Sequence, residues 1–121
     1  MEKILITGST GLLGSYLFPK IKSDKFKVIR FKRNNNADLS NLNYCKNYLK
    51  RNKFDTIINL SAITNVDQCE KNNQLAKKVN FLLIKNICQA IKKYNLKTHI
   101  IHISTDQFYN SFSSNYEKKI K

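Results

Sequence analysis

Gly8, Gly11 and Gly14 are the only glycines in this chain of 121 residues, and they form a G-x-x-G-x-x-G pattern. The pattern follows a short apolar stretch and precedes an amphipathic one, which predicts a strand, a tight turn and a helix. Glycines in such a turn let the backbone approach a pyrophosphate closely, and the free N–H groups at the helix start can bind the anion. The spacing therefore predicts a dinucleotide-binding loop, with a tight turn that binds no ligand as the alternative.

The residues after the second apolar stretch indicate which dinucleotide would bind. A site that prefers NAD usually has an Asp or Glu there, about 20 residues beyond the glycines, to hydrogen-bond the ribose 2′-hydroxyl. This chain has Phe31, Lys32 and Arg33 instead. Because a guanidinium can pair with a 2′-phosphate, Arg33 favours NADP(H), while NAD(H) stays open as the second choice. The alternative is that Lys32 and Arg33 are simply solvated charges.

Short apolar runs alternate with longer amphipathic stretches, and this alternation predicts the architecture that would position these residues. Strands are predicted at 3–7, 27–31, 55–61 and 98–104, and helices at 12–22, from Asp38 or Ser40 to 52, and at 73–94. Pro19 predicts that the first helix is kinked or short. The alternation predicts the α/β class: a Rossmann-like, doubly wound parallel sheet with helices on both faces. We expect this sheet to be incomplete at the carboxyl terminus.

The basic charge raises a second class of function. The chain carries 22 Lys and Arg against 8 Asp and Glu, a formal net charge of +14 at pH 7, and such a balance is found in proteins that bind nucleic acids. The basic residues are spread along the chain, and the arginines, which are favoured for phosphate and guanine contacts, are only Arg30, Arg33 and Arg51. We interpret the charge as a general bias towards Lys, Asn and Ile and expect no specific nucleic-acid binding.

Composition and cysteine spacing exclude several other classes. With 41% hydrophobic residues, the chain can build a core, which excludes a disordered protein. No long uncharged apolar run predicts a transmembrane span, and the start at Met1 lacks the features of a signal peptide, so we expect a cytoplasmic protein without membrane contact. Cys45, Cys69 and Cys88 are odd in number and widely spaced, which indicates neither a disulfide framework nor a zinc site. We expect buried or incidental thiols.

Several further motifs accompany the glycine pattern and span nearly the whole chain. They are Ala37-Asp38-Leu39-Ser40 after Arg33, Ile58-Asn59-Leu60-Ser61-Ala62, Val66-Asp67-Gln68-Cys69-Glu70, Val79-Asn80, and His102-Ile103-Ser104-Thr105-Asp106. In this order the chain resembles the extended short-chain dehydrogenase/reductase family, and within it the dTDP-4-dehydrorhamnose reductase group of nucleotide-sugar reductases. The resemblance implies an NADP(H)-dependent oxidoreductase that transfers hydride to a 4-keto sugar nucleotide.

The resemblance also implies roles for residues that bind the cofactor. The residues that would cradle the pyrophosphate are Gly8, Gly11, Leu12, Leu13 and Gly14. Arg33 would meet the adenosine ribose or its phosphate, while Asp38 would hydrogen-bond the adenine and Leu39 would pack on it. Asp38 can also serve as a helix N-cap. The ribose and nicotinamide would be lined by Ser61, Ala62 and Ile63. Asn80 is expected to be a structural hydrogen-bonding residue on a buried helix.

Thr105 is the catalytic residue that the resemblance implies, because its hydroxyl would hydrogen-bond the substrate carbonyl oxygen as hydride reaches the carbon. Asp106 would contact the sugar, so both residues would bind the substrate. The alternative is that Ser104, Thr105 and Asp106 only cap or turn the chain. His99 and His102 fall on opposite faces of the predicted strand, so we expect structural histidines and no metal site.

The chain departs from the family pattern in the residues that donate the proton. The family uses a Tyr-x-x-x-Lys pair on a helix after the threonine, but here Tyr116 is followed four places on by Ile120. We therefore expect one truncated NAD(P)-binding domain over residues 1–121, without a substrate domain and inactive by itself. The alternatives are a non-catalytic NADP-binding regulatory subunit and a basic nucleic-acid-binding module. The sequence leaves open which sugar nucleotide is used and whether the chain forms a homodimer.

Overall fold

Four strands and a series of helical segments make up the part of the chain that the computed structural model describes, residues 1–61 and 73–103. In chain order they are β1 (Glu2–Thr7), α1 (Leu12–Ile21), β2 (Phe26–Arg30), α2 (Leu42–Asn52), β3 (Thr56–Asn59), α3 (Asn73–Lys77), a turn of π-helix (Lys78–Leu82), α4 (Leu83–Lys93) and β4 (His99–His102). Each strand and helix predicted from the sequence has its counterpart among these elements.

All four strands are parallel and follow the order β2-β1-β3-β4. Ile4 of β1, for example, lies between Val28 of β2 and Thr56 of β3. The chain leaves β1 to add β2 on one side and later adds β3 on the other side, so the strand order reverses at β1. In doubly wound sheets, ligands bind at the carboxyl ends of the strands where the order reverses. Gly8 and Ser61 follow the two strands at this position.

The two faces of the sheet carry separate apolar cores, because side chains alternate along each strand. One core joins the sheet to α2 and α4 and includes Leu5, Leu49, Ile57 and Ile87. The other joins the sheet to α1 and includes Ile4, Ile6 and Ile58, with Leu17 and Ile21 packed against them. Burying each such side chain contributes roughly 1.5–3 kcal/mol relative to leaving it exposed. The Rossmann-like sheet with helices on both faces is thereby confirmed.

The start of α2 differs from the prediction. Asn41 is the N-cap residue, and its side-chain oxygen accepts a hydrogen bond of 3.0 Å from the N–H of Tyr44. The prediction that Asp38 or Ser40 caps this helix is therefore wrong. The reason is local, because the backbone from Asp38 to Asn41 forms its own turn, closed by a bond of 3.0 Å from the Asn41 N–H to the Asp38 carbonyl.

The long helix predicted at 73–94 is interrupted by the π-helical turn between α3 and α4. Asn80 lies on this turn and is exposed, so the expectation that it sits on a buried helix is wrong. On α4 the buried residues are Leu83, Asn86, Ile87 and Ala90. Among the asparagines of the helical stretch from Asn73 to Lys93, Asn86 and not Asn80 is therefore the buried one.

Pro19 lies inside α1, which is only ten residues long and ends at Ile21. A proline removes one backbone hydrogen bond from the helix interior. The prediction was that this helix is kinked or short, and the structure shows a short helix. No helix in the two described ranges has the length and apolar character needed to cross a membrane.

Two of the three cysteines lie in the described ranges, and both are free thiols. Cys45 is buried against α4, and burial, with a smaller contribution from Cys88, raises the pKa of its thiol to about 12. Cys88 is exposed, and Cys69 lies outside the described residues. A buried thiol that stays protonated is a poor nucleophile and metal ligand, so Cys45 is a packing residue, as expected.

Candidate functional site

The turn after β1 is fixed by Gly8, whose φ of +71° lies in the left-handed region that other residues rarely adopt. A Cβ built on Gly8 would lie 2.7 Å from the carbonyl carbon of Leu60 and 2.7 Å from the nitrogen of Ser61. Both are backbone atoms just after β3, so they cannot move aside as a flexible side chain could. Glycine is required for the chain to leave β1 so close to β3.

Gly14 brings the first turn of α1 equally close to the loop. A Cβ on Gly14 would meet the carbonyl oxygen of Gly8 and would lie 2.5 Å from the Cα of Ser9. Gly11 is different, because its φ is −71° and its Cβ would make an ordinary contact, 3.5 Å from the Gly8 oxygen. The described part of the protein therefore requires glycine at positions 8 and 14, whereas at position 11 the missing side chain leaves space beside the loop.

α1 begins at this loop without a side-chain cap. Gly11 is the N-cap residue, and the N–H of Ser15 donates to the Gly11 carbonyl at 2.9 Å. The N–H groups of residues 12–14 come before this bond and have no carbonyl partner within the helix, which is the arrangement that binds anions. The side chain of Leu12 is 94% exposed and that of Leu13 is 48% exposed. The helix start therefore offers backbone N–H groups to a ligand.

Asn59, the last residue of β3, joins the ends of three strands. Its Oδ1 accepts a hydrogen bond from the hydroxyl of Thr7 at the end of β1 and another, of 3.3 Å, from the N–H of Ser61. With Oδ1 as the acceptor, Nδ2 is the donor to Nδ1 of His102 at the end of β4, at 3.0 Å. Thr7 and Asn59 are both buried. The amide thus holds together the sheet edge at which the cleft opens, and His102 has a structural role.

The opposite wall of the cleft follows β2 and contains a tight turn. Asn34 and Ala37 exchange two backbone hydrogen bonds of 3.0 and 3.2 Å, and the Asn34 side chain accepts a bond of 2.8 Å from the N–H of Asn36. Arg33 comes just before this closed turn and Asp38 just after it. The turn therefore brings both residues to the same cleft.

Asp38 and Leu39 are held in place from both sides of the wall. The Oδ1 of Asp38 accepts hydrogen bonds from the N–H and the hydroxyl of Ser40, at 2.9 and 2.7 Å. From α4, the Nδ2 of Asn86 donates to the carbonyls of Leu39 and Ser40, at 3.0 and 2.8 Å. Leu39 is fully buried in the core that includes residues of α2 and α4. The helix α4 therefore fixes this wall relative to the sheet.

These segments enclose a cleft of about 310 Å³, which is within the size range of small-molecule sites. It is lined by residues 8–10, 31–33 and 38–40, by Ser61, and by three residues of the helical stretch, Lys78, Val79 and Leu83. Three of these side chains are cationic, Lys32, Arg33 and Lys78, and one is a carboxylate, Asp38. This charge balance favours an anionic ligand.

The cleft brings together five of the residues assigned from the sequence, Gly8, Arg33, Asp38, Leu39 and Ser61. Beside the cleft, the start of α1 holds Gly11, Leu12, Leu13 and Gly14. Outside the described residues lie Ala62, Ile63, Thr105 and Asp106. The roles of these last four residues stay predictions.

Sequence reasoning did not assign a site role to Asn59, Asn86 or Lys78. A polar residue within an apolar strand was a usable signal for Asn59, and Asn86 stands in the same way among the buried residues of α4. Lys78 gave no such signal, because it is one of several lysines in the predicted helix at 73–94. It is exposed, but it also borders the cleft.

The Tyr-x-x-x-Lys spacing does occur once in the chain, at Tyr16 and Lys20 of α1. There the Nζ of Lys20 lies over the Tyr16 ring, 4.5 Å from its centroid, and neither residue lines the cleft. The pair therefore makes a surface contact at a position unlike that of the family's catalytic pair. Within the ranges that the structure describes, no three His, Cys, Asp or Glu side chains are placed to hold a metal ion.

Residues 1–119 match the family model described as RmlD substrate binding domain. A dTDP-D-glucose 4,6-dehydratase of Dictyostelium discoideum is 30% identical over an alignment of 136 positions that covers 92% of this chain and 30% of the relative. Among solved structures, a dTDP-4-dehydrorhamnose reductase of Clostridium acetobutylicum superposes with a TM-score of 0.76 at 35% identity, covering 86% of this chain and 36% of that one. The Bacillus anthracis dTDP-4-dehydrorhamnose reductase in complex with NADP has a TM-score of 0.68 at 26% identity, covering 81% and 35%. The chain thus spans about a third of the length of these relatives.

The glycine geometry predicts unequal effects of two similar substitutions. We expect Gly14→Ala to lower the free energy of unfolding by about 1–3 kcal/mol, a cost typical of overpacking, because its Cβ would meet the backbone of Gly8 and Ser9. Gly11→Ala is the matched control and should cost less than about 1 kcal/mol, the scale of an altered N-cap. Urea denaturation followed by circular dichroism measures both. Equal losses would contradict the steric difference between the two positions.

The hydrogen bond between Thr7 and Asn59 predicts non-additive effects. Asn59→Leu removes the acceptor of the buried Thr7 hydroxyl, so we expect the free energy of unfolding to fall by about 1–3 kcal/mol. Thr7→Val in the Asn59→Leu background removes the unpaired hydroxyl and should cost less than it does in the wild type. Urea denaturation of the four proteins of this cycle tests the coupling. If the two losses simply add, the side chains do not act as a pair.

Proposed function

The chain belongs to the RmlD substrate binding domain family, and we propose that its 121 residues are the NADP(H)-binding part of a nucleotide-sugar reductase. The whole enzyme would transfer hydride to a 4-keto sugar nucleotide in the manner of dTDP-4-dehydrorhamnose reductase. Residues 1–121 would form one NAD(P)-binding domain, and the domain that holds the sugar would lie in additional chain. The cytoplasm stays the predicted location.

The observation that carries this proposal is the glycine loop at the point where the strand order reverses. Gly8 and Gly14 bring β1, β3 and α1 together, while Gly11 leaves open space beside uncapped helix N–H groups. A pyrophosphate needs such a close backbone approach and binds to such N–H groups. The cleft beside the loop carries an excess of cationic side chains, which suits a ligand with several phosphates.

The cofactor's adenosine end would lie between the β2 side of the cleft and the helical stretch. Arg33 would pair with the 2′-phosphate, which favours NADP(H) over NAD(H), and the complex of a relative with NADP supports this preference. Both hydrogen bonds that Asp38 accepts from Ser40 use Oδ1, so Oδ2 would accept from the adenine amino group. The packing of Leu39 on the adenine, which the resemblance implies, stays a prediction, because the structure buries this side chain fully in the core. Ser61 with Ala62 and Ile63 would line the ribose and nicotinamide.

In the complete enzyme, bound NADPH would supply the hydride. Thr105 would donate a hydrogen bond to the carbonyl oxygen of the sugar and so stabilise the negative charge that develops on it. Asp106 would contact the sugar. No tyrosine after Thr105 has a lysine four places on, so this chain alone would not donate the proton that completes the reduction.

Two other functions fit parts of the same sequence. A non-catalytic NADP-binding regulatory subunit would keep the fold and the cofactor cleft without turnover. A nucleic-acid-binding module would use the net charge of +14, but such binding by charge alone weakens steeply as salt rises. Homodimer formation stays an open question under each of these functions.

Calorimetric titration tests the cofactor preference. We expect the chain to bind NADPH more tightly than NADH and expect Arg33→Ala to weaken NADPH binding by about tenfold, the value of a charged hydrogen bond of roughly 1.5 kcal/mol, with NADH binding unchanged. Arg51→Ala is the matched control, because Arg51 is an exposed arginine on α2 away from the cleft. Equal affinity for the two cofactors, or no change in Arg33→Ala, contradicts the assignment of Arg33.

The same titration separates the contribution of the pyrophosphate to binding from that of the 2′-phosphate. A side chain at position 11 would fill the space beside the helix N–H groups, so Gly11→Ala should weaken NADPH and NADH by the same factor. Unchanged binding of both cofactors in this variant would mean that the glycine loop is a turn without a ligand.

Turnover by the chain alone tests the proposed division of the enzyme. We expect no loss of NADPH absorbance above a protein-free control when a dTDP-4-keto sugar is added, because the proton-donating pair is missing. Turnover above that control would overturn the proposal of an inactive part. In that case Tyr16→Phe decides whether the Tyr16 and Lys20 pair of α1 takes over the role.

A further inference from the structure

Lys78 lines the same cleft as Arg33 but belongs to a different element of the fold. It comes from the helical stretch, whereas Arg33 comes from the segment after β2, and both line the cleft. Lys78 also lines a neighbouring polar pocket together with Asn35, Asn36 and Tyr44. The two pockets share Asp38, Ser40 and Lys78. Lys78 therefore borders the tight turn that carries Arg33 and Asp38.

The backbone at Lys78 is unusual as well. Lys78 is the first residue of the π-helical turn Lys78–Leu82, and π-turns within helices are uncommon and occur frequently at functional sites. Directly after this turn, α4 is fixed by buried Leu83 and by the two hydrogen bonds of Asn86. The turn therefore ends at a helix held by these contacts, and Lys78 and Val79 are the first two residues of the turn itself. Both Lys78 and Val79 reach the cleft from there.

We propose that Lys78 is a second specificity-determining residue for the cofactor. Together with Arg33 it would supply the positive charge that favours a ribose bearing a 2′-phosphate over an unphosphorylated ribose. This inference rests on the proposed function, because it requires the adenosine end of the cofactor to lie in this cleft.

The charge balance of the cleft supports this role. Lys32, Arg33 and Lys78 carry three positive charges and Asp38 carries one negative charge, so the side chains that line the cleft have a net charge of 3 − 1 = +2. A phosphate monoester carries about −1.5 to −2 charges at pH 7. Binding a 2′-phosphate would therefore compensate the excess charge, whereas a ribose hydroxyl would leave it in place. Removing the charge of Lys78 lowers the net charge of the lining side chains from +2 to +1.

A matched pair of lysine variants tests the proposal in the 121-residue chain. We expect Lys78→Ala to weaken NADPH binding by roughly two- to fivefold, the range for an exposed ion pair, with NADH binding changed by less. Lys77→Ala is the control, because Lys77 is the preceding lysine of the same helical stretch, is exposed and does not line the cleft. Lys78→Arg keeps the charge and should retain the preference. The effect should shrink as salt is raised.

The outcomes separate this inference from the function on which it rests. If the wild-type chain binds neither NADPH nor NADH, the proposed function fails, and the role of Lys78 fails with it. If the wild type prefers NADPH and Lys78→Ala leaves the ratio of the two affinities unchanged, only the role of Lys78 is overturned. Equal losses of NADPH affinity in Lys77→Ala and Lys78→Ala would assign the effect to the net charge of the protein and would overturn the role of Lys78 as well.

Discussion

No side chain fits between the ends of β1 and β3 or between the loop and the first turn of α1, and the cleft depends on this close approach. Gly8 lies against the backbone of Leu60 and Ser61, and Gly14 lies against the backbone of Gly8 and Ser9. At these two glycines, β1, the segment after β3 and α1 therefore approach one another through main-chain atoms. This contact sets where α1 begins, and with it where the helix N–H groups are presented.

Buried amides hold the rest of the cleft around that contact. Asn59 ties the end of β3 to Thr7 and His102, and Asn86 ties α4 to the carbonyls of Leu39 and Ser40. Over the residues that the structure describes, every buried side-chain polar atom has a hydrogen-bond partner. A buried polar group without a partner is costly, so these bonds favour one arrangement of the strands and helices over alternatives that would break them. The two walls of the cleft are thus set by directional bonds as well as by apolar packing.

Much of this arrangement is predictable from the sequence, because it follows from local patterns. The periodicity of apolar residues predicts the strands and helices, and their alternation predicts the parallel sheet. The glycine spacing predicts where the cleft opens. The errors arise where tertiary contacts decide between local options. Asn41 rather than Asp38 caps α2, since the preceding residues close a turn of their own. The π-turn Lys78–Leu82 could not be predicted from the spacing of apolar residues, because Ala76, Val79 and Leu83 keep an ordinary helical spacing across it.

Gly11 is the glycine whose role would differ between a binding loop and an empty tight turn. Gly8 and Gly14 would be needed in either case, because their surroundings leave no room for a Cβ. Elsewhere the chain does without glycine even where glycine would be the favourable choice, since Lys53 and Asn95 both have a φ of +50°. At position 11 the situation is the reverse, because the φ of −71° suits any residue and the described protein leaves space for a side chain. A ligand that approaches the main chain would account for a glycine that neither the backbone conformation nor the packing requires, and a pyrophosphate at the start of α1 would be such a ligand.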